Sequence, residues 1–144
     1  EPIADSTRSI LDGHVVLTRD LADQGHFPAI DVLKSISRLR SDITPAEVQD
    51  AGRVALKYLA TFKRVEDMVN IGAYQRGSSP EIDTALRLIQ PINAFLQQRV
   101  ADRQPLEESY AQLMALAAQA GGDAAAKPQA KPAAAKPAPK PAKR

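Results

Sequence analysis

A run of apolar residues at helical spacing dominates the middle of the chain. It follows "TPAE", in which Thr44 suits the N-cap, Pro45 the first helical position and Glu47 the residue that completes a capping box. The apolar residues then recur at alternating intervals of three and four: Val48, Ala51, Ala55, Tyr58, Phe62, Val65 and Val69. This spacing predicts a helix with one apolar face that ends near Ile71.

Two further helices are predicted downstream. One opens at Pro80 and should be kinked by Pro91, which cannot donate a backbone hydrogen bond. Its apolar face comprises Ile82, Leu86 and Ile89. The other runs from Pro105 to Gly121. Since the connections are short, we expect residues 44–120 to form an antiparallel three-helix bundle.

Residues 1–43 have a different, mixed α/β pattern. A short helix is expected over residues 3–11, and the apolar run from His14 to Leu17 predicts a buried strand. A second short helix should be capped by Thr18 and ended by Gly25. This order predicts a piece of a parallel sheet that belongs to a larger domain.

The last segment, residues 121–144, consists almost entirely of Ala, Lys, Pro and Gly. It carries five Lys, one Arg and one Asp, or +5, so the rest of the chain carries −3 of the total of +2. With no apolar residue larger than Ala, the segment is expected to be disordered. A solubilising linker is the favoured role, ahead of salt-dependent attraction to nucleic acid or anionic lipid.

Several classes of site are excluded by composition and motif. The chain has no cysteine, so disulfides and thiolate metal sites are absent. His14 and His26 stand twelve residues apart without a metal-binding spacing, so a structural or surface role is favoured for both and no metal site is predicted. No GxxxxGK[ST] phosphate-binding loop occurs. Neither a secretory signal nor an apolar run of about 20 residues is visible, which favours a cytoplasmic setting.

Two residues of "GHFPAIDVLKSISR" have both an ordinary and a functional interpretation. Phe27 suits a core aromatic on spacing alone, or a flat apolar platform for a base or partner. Arg38 suits an ordinary surface arginine, or a planar, permanently charged group that reaches a phosphate. The residues alone leave these alternatives open.

The segment "EPIADSTRSILDGHVVLTRDLADQGHFPAIDVLKSISR" closely resembles the flagellar protein-export ATPases, relatives of the injectisome ATPases and of the rotary ATP synthase catalytic subunit. "VNIGAYQRGSSPEID" is similar to the flagellar branch. The resemblance covers residues 1 to about 117. It implies that residues 1–43 are the end of a P-loop (RecA-like) ATPase domain and residues 44–120 the helical C-terminal domain. The chain would then be roughly the last quarter of such a protein.

The resemblance also implies roles for Phe27 and Arg38. Phe27 matches the aromatic that stacks on adenine in its own subunit, where the rotary enzymes often have Tyr. Arg38, which ends "SISR", matches the arginine finger that points across an interface into a neighbour's ATP. In the helical domain, the resemblance places the loop "GAYQRGSS" where the rotary enzymes carry an acidic stalk-contacting loop. Tyr74, Gln75 and Arg76 are the residues chosen for partner contact, and the alternative is that they are plain loop residues.

The implied parent is a homohexamer that hydrolyses ATP with Mg²⁺ to drive flagellar type III protein export. Its partners would be a stalk-like coiled coil, a stator and export chaperone or cargo complexes, at the cytoplasmic face of a membrane export gate. This chain alone is expected to be inactive and to bind no cofactor, since it lacks the phosphate-binding loop. The alternatives are an injectisome ATPase segment, or a non-enzymatic helical partner-binding module whose basic tail binds nucleic acid.

Overall fold

A bundle of three long helices forms the body of the protein in the computed structural model, which describes residues 2–121 and, for side chains, residues 6–121. The elements in chain order are α1 (Pro2–Ile10), β1 (Gly13–His14), α2 (Arg19–Asp23), β2 (Ile36–Ser37), α3 (Arg40–Ile43), α4 (Ala46–Asn70), α5 (Pro80–Leu96) and α6 (Leu106–Gly121). The predicted disordered tail lies outside the described residues apart from Gly121. In the described part of the chain, no helix is both long and apolar enough to cross a bilayer.

The core lies where α4, α5 and α6 meet. Its buried members are Leu59, Leu88, Ile89, Ile92, Leu116 and Ala120. Leu88 and Ile92 on α5 are the largest side chains that are fully buried. The three-helix bundle predicted from the apolar spacing is therefore confirmed, and Pro91 lies within α5, which continues to Leu96.

The buried faces are broader than the predicted stripes. On α4, Leu59 and Thr61 are buried although neither belongs to the predicted stripe, whereas Val69 is only half-buried. On α5, Ile89 is buried but Ile82 and Leu86 are half-buried. The reason is that each helix packs against two others, so a single narrow stripe cannot describe its buried face.

The predicted capping box at the start of α4 is wrong. Pro45 is the N-cap, without a side-chain hydrogen bond, and Thr44 is instead the C-cap of α3. The Gln49 side-chain amide donates to the carbonyls of Thr44 (2.7 Å) and Ser41 (3.0 Å). Because the chain is already helical up to Ile43, these carbonyls need donors, and Gln49 supplies them.

Two glycines end helices as their sequence context predicts. Gly25 after α2 and Gly72 after α4 both have φ +71°. After α2, the His26 N–H donates to the Leu21 carbonyl (2.9 Å) and the Gly25 N–H to the Ala22 carbonyl (2.9 Å). This Schellman pattern needs a left-handed residue, which glycine adopts without a steric cost.

The strand prediction for residues 14–17 is wrong in length, burial and pairing. β1 covers only Gly13–His14 and pairs antiparallel with β2, with Gly13 opposite Ser37 and His14 opposite Ile36. Leu17 forms an isolated antiparallel bridge with Ile30 and is 70% exposed. The predicted parallel pairing needs neighbouring strands that residues 2–121 do not supply, so the segment pairs locally with the chain that returns past it.

Candidate functional site

Phe27 is held by its backbone while its ring stays exposed. The Phe27 carbonyl accepts a hydrogen bond from the Gln98 N–H (3.0 Å), just beyond the end of α5. The peptide bond to Pro28 is cis. The ring is 57% exposed, so the interpretation of Phe27 as a core aromatic is wrong. An exposed aromatic face on a fixed backbone can stack on a planar ligand.

The residue before Phe27 is buried. His26 is 7% exposed, and its Nδ1 lies 3.3 Å from Nε2 of Gln97. The sequence favours a structural or surface role for His26 over metal binding. Residues 6–121 contain no group of three or more side chains arranged to hold a metal ion. His26 instead joins the end of α2 to the helical bundle.

A tight turn built on Asp31 connects Phe27 with Arg38. Asp31 Oδ1 accepts from the N–H groups of Leu33 (3.1 Å) and Lys34 (3.3 Å), and Oδ2 pairs with the Lys34 ammonium (3.1 Å). The Ser35 hydroxyl donates to the Asp31 carbonyl (2.7 Å) and accepts from the Val16 N–H (3.0 Å). Asp31 and Ser35 therefore fix the path of the segment. The sequence signal for this turn was Asp31 itself, because an Asp side chain often accepts a hydrogen bond from the N–H two residues later, as in an Asx-turn.

Arg38 directly follows β2, and its side chain is exposed. Its backbone N–H donates to the Asp12 carbonyl (2.8 Å), which fixes the position of the residue. The guanidinium makes no hydrogen bond or ion pair to any of the described residues. Arg38 is thus a fixed residue whose charged group is free to bind an anion from outside these residues.

Phe27 and Arg38 are not brought to a common pocket. Phe27 is bonded to the segment after α5, whereas Arg38 is bonded to the segment before β1. A cavity of about 350 Å³ beside His26 and Asp31 and another of about 320 Å³ beside Ser37 and Arg40 include neither residue in their linings. Within this chain, each residue therefore faces outward separately.

The loop between α4 and α5 is built around Asp83. The Tyr74 hydroxyl donates to Asp83 Oδ1 (3.0 Å), and the Gly77 N–H donates to Oδ2 (2.9 Å). Gln75 and Arg76, between these two anchors, are exposed. The sequence analysis did not assign Asp83, although an acid in the first turn of a helix after a Gly-Ser-Ser loop was visible. The loop thus presents Gln75 and Arg76, while the hydroxyl of Tyr74 is bonded internally.

Comparison with known protein families shows to which family the chain belongs. Residues 43–115, just over half of the chain, match the family described as "T3SS EscN ATPase C-terminal domain". The chain belongs to this family. Residues 1–37 match the nucleotide-binding domain of the ATP synthase alpha/beta family.

Curated relatives come from both flagellar and secretion systems. The segment is 50% identical over 116 residues to the "Flagellum-specific ATP synthase" of Bacillus subtilis, covering 81% of this chain and 26% of that protein. It is 45% identical over 119 residues to the "Type 3 secretion system ATPase" of Pseudomonas syringae pv. syringae, covering 83% of this chain and 26% of that protein. The chain therefore spans about a quarter of the length of the curated relatives it matches, and it corresponds to their C-terminal part.

Solved structures confirm the fold class. The assembled ATPase EscN from the type III secretion system of enteropathogenic E. coli matches with a TM-score of 0.78 and 41% identity, covering 81% of this chain and 28% of that one. EscN in complex with its central stalk EscO matches with a TM-score of 0.76, covering 81% and 29%. The prediction of a short nucleotide-binding-domain remnant followed by a helical domain, and the resemblance to export ATPases, are confirmed.

Proposed function

We propose that this chain is the C-terminal segment of a homohexameric ATPase that hydrolyses ATP with Mg²⁺ and energises type III protein export. The exposed, unpaired Arg38 carries the proposal, because it stands one residue beyond the region similar to a nucleotide-binding domain. The residues divide into the end of the ATPase domain (1–43), a helical domain (44–120) and a tail (121–144). The phosphate-binding loop and the Mg²⁺ ligands belong to the part of the parent that precedes this chain.

The two exposed residues serve two different nucleotides. Phe27 stacks on the adenine bound by its own subunit, and the phenyl ring needs no hydroxyl for this contact. Arg38 reaches the ATP of the neighbouring subunit, where its planar cation stabilises the charge that develops on the transferred phosphoryl group. The Asp31 turn, which fixes the chain between them, connects the two nucleotides of adjacent subunits.

The helical domain faces the partners. Gln75, Arg76 and the ring of Tyr74 contact a stalk-like coiled coil, and a solved relative bound to its central stalk supports this role. Stator and chaperone or cargo complexes are the other partners, at the cytoplasmic face of a membrane export gate. Flagellar export is the favoured system, on the pattern "VNIGAYQRGSSPEID" and on the 50% identity to a flagellar relative. Injectisome export is the second candidate, because a secretion ATPase is almost as similar.

Phosphate release by the full-length protein that contains this chain tests the role of Arg38. Arg38→Ala should lower kcat by roughly 10³-fold, as expected for the loss of an arginine finger. Arg38→Lys should restore little, since an ammonium cannot reproduce the planar fork. Arg64→Ala, which removes an exposed arginine of α4, is the matched control and should keep full activity.

Mixed hexamers test whether Arg38 acts on a neighbour. An Arg38→Ala subunit should regain part of its activity when mixed with a subunit inactivated in its phosphate-binding loop, because some interfaces then combine an intact loop with an intact arginine. If the mixture stays inactive while each variant still assembles, Arg38 does not act across the interface.

A further inference from the structure

We propose that His26, Gln97 and the backbone of Gln98 form a clasp that positions Phe27 and thereby sets the affinity for the nucleotide base. This inference rests on the proposed role of Phe27 and extends it to residues of the helical domain. The clasp residues are positioning residues, since they act through Phe27.

The clasp consists of two hydrogen bonds, one between His26 and Gln97 and one between Phe27 and Gln98. Nε2 of the Gln97 side chain lies within hydrogen-bond distance of Nδ1 of His26 (3.3 Å), and the Gln98 N–H donates to the Phe27 carbonyl (3.0 Å). The pairs are 71 residues apart in sequence. Two bonds from consecutive residues fix both the position and the orientation of the Phe27 backbone.

Each side of the clasp is braced. On the helical side, the Gln98 side-chain amide donates to the Asp102 carbonyl (2.8 Å), and the Arg99 N–H donates to Asp102 Oδ2 (3.1 Å), which closes a turn after α5. On the other side, His26 is buried and its N–H takes part in the end of α2. Phe27 is therefore attached to two rigid elements, the turn after α5 and the end of α2.

Within the described residues, the clasp links Phe27 to the helical bundle, whereas the hydrogen bonds on either side of Phe27 stay within residues 18–30. The ring is mostly exposed, so packing contributes little to its position. Gly25, two residues earlier, ends α2 in a hydrogen-bonded turn, so the chain enters Phe27 from a fixed point. The end of α5 belongs to the buried core of the bundle, through Ile92 and Leu96. A shift of α5 relative to α2 would consequently move the stacking ring.

The test is steady-state kinetics of the full-length ATPase with two substrates: ATP and ribose triphosphate, which lacks the base. Gln97→Leu should raise KM for ATP roughly threefold to tenfold, as expected for the loss of one hydrogen bond, and leave kcat unchanged. KM for ribose triphosphate should not change, since this substrate has no base to stack on Phe27. Gln97 is exposed, so the substitution leaves the fold intact. Gln90→Leu, at an exposed glutamine within α5, is the matched control and should change neither KM.

Phe27→Ala separates the failure of this inference from that of the proposed function. If Phe27→Ala raises KM for ATP alone but Gln97→Leu changes neither KM, the clasp proposal is overturned while the stacking role stands. The clasp proposal is also overturned if Gln97→Leu raises both KM values equally or lowers kcat, because either result indicates general structural damage. If Phe27→Ala leaves KM for ATP unchanged, the stacking role and the clasp proposal fall together.

Discussion

Asp83 is the residue on which the conformation of the 71–79 loop depends. Its two carboxylate oxygens accept hydrogen bonds from the Tyr74 hydroxyl and the Gly77 N–H. It also lies in the first turn of α5, where a negative charge is favoured by the helix dipole. Removing it takes away the acceptor of the Gly77 N–H and leaves the Tyr74 hydroxyl with only the Ser79 carbonyl (3.1 Å).

Asp83→Ala should therefore lower the free energy of unfolding by about 1–3 kcal/mol and speed hydrogen exchange at the Gly77 amide. Tyr74→Phe, which removes one of the two donors, should cost about 1 kcal/mol. Urea unfolding and amide exchange of the chain measure these effects. Asp67→Ala, at an exposed carboxylate of α4, is the control. Unchanged exchange at Gly77 in Asp83→Ala would contradict the assignment.

For single residues, the sequence was a better guide to which residues are candidates for function than to which residues they contact. The exposure of Phe27 rules out a core aromatic, whereas the exposure of Arg38 fits both a surface arginine and a phosphate-binding one. Nothing in the sequence could pair Gln97 with His26, because the two residues meet only in the folded chain. The capping box failed for a related reason. Whether Thr44 caps α4 depends on the preceding residues, and these form α3.

Among the elements, α5 contributes the centre of the bundle. It places Leu88 and Ile92, both fully buried, between α4 and α6. The exposed leucine that opens α6, Leu106, offers a comparison within the same chain. The contribution of a leucine to stability should follow this difference in burial.

Leu88→Ala should destabilise the chain by about 2–5 kcal/mol, because it removes buried methyl groups and leaves a cavity. Leu106→Ala should change the free energy of unfolding by less than about 0.5 kcal/mol. Urea unfolding monitored by circular dichroism compares the two variants. Similar losses for both would show that α5 is not the centre of the core.

The three long helices were predictable from sequence and the strands were not, for a physical reason. A helix forms its hydrogen bonds within itself, so the apolar spacing and the glycine at Gly72 were enough to locate α4 and its end. A strand must find its partner elsewhere. The run from His14 to Leu17 pairs with the returning segment at Ile36 and Ile30, which the local pattern does not reveal.

In the molecule as a whole, apolar burial is unevenly distributed. Every buried apolar residue in the described part of the chain lies between Val48 and Ala120. Residues 6–43 instead expose large apolar side chains, among them Ile10, Val15, Leu17, Ile36 and Ile43. The helical bundle therefore has its own core, whereas the preceding segment depends on contacts with it.

Deletion of residues 1–43 tests this division. The shortened chain should still unfold cooperatively on heating, because its core is intact. Its mean residue ellipticity at 222 nm should become stronger, since α4–α6 form a larger fraction of it. Some stability should be lost with Val32, which packs against the core, and with the bonds that Gln97 and Gln98 make to the deleted segment. If the shortened chain loses its cooperative transition, residues 1–43 complete the core of the bundle, and the proposed boundary near residue 44 is wrong.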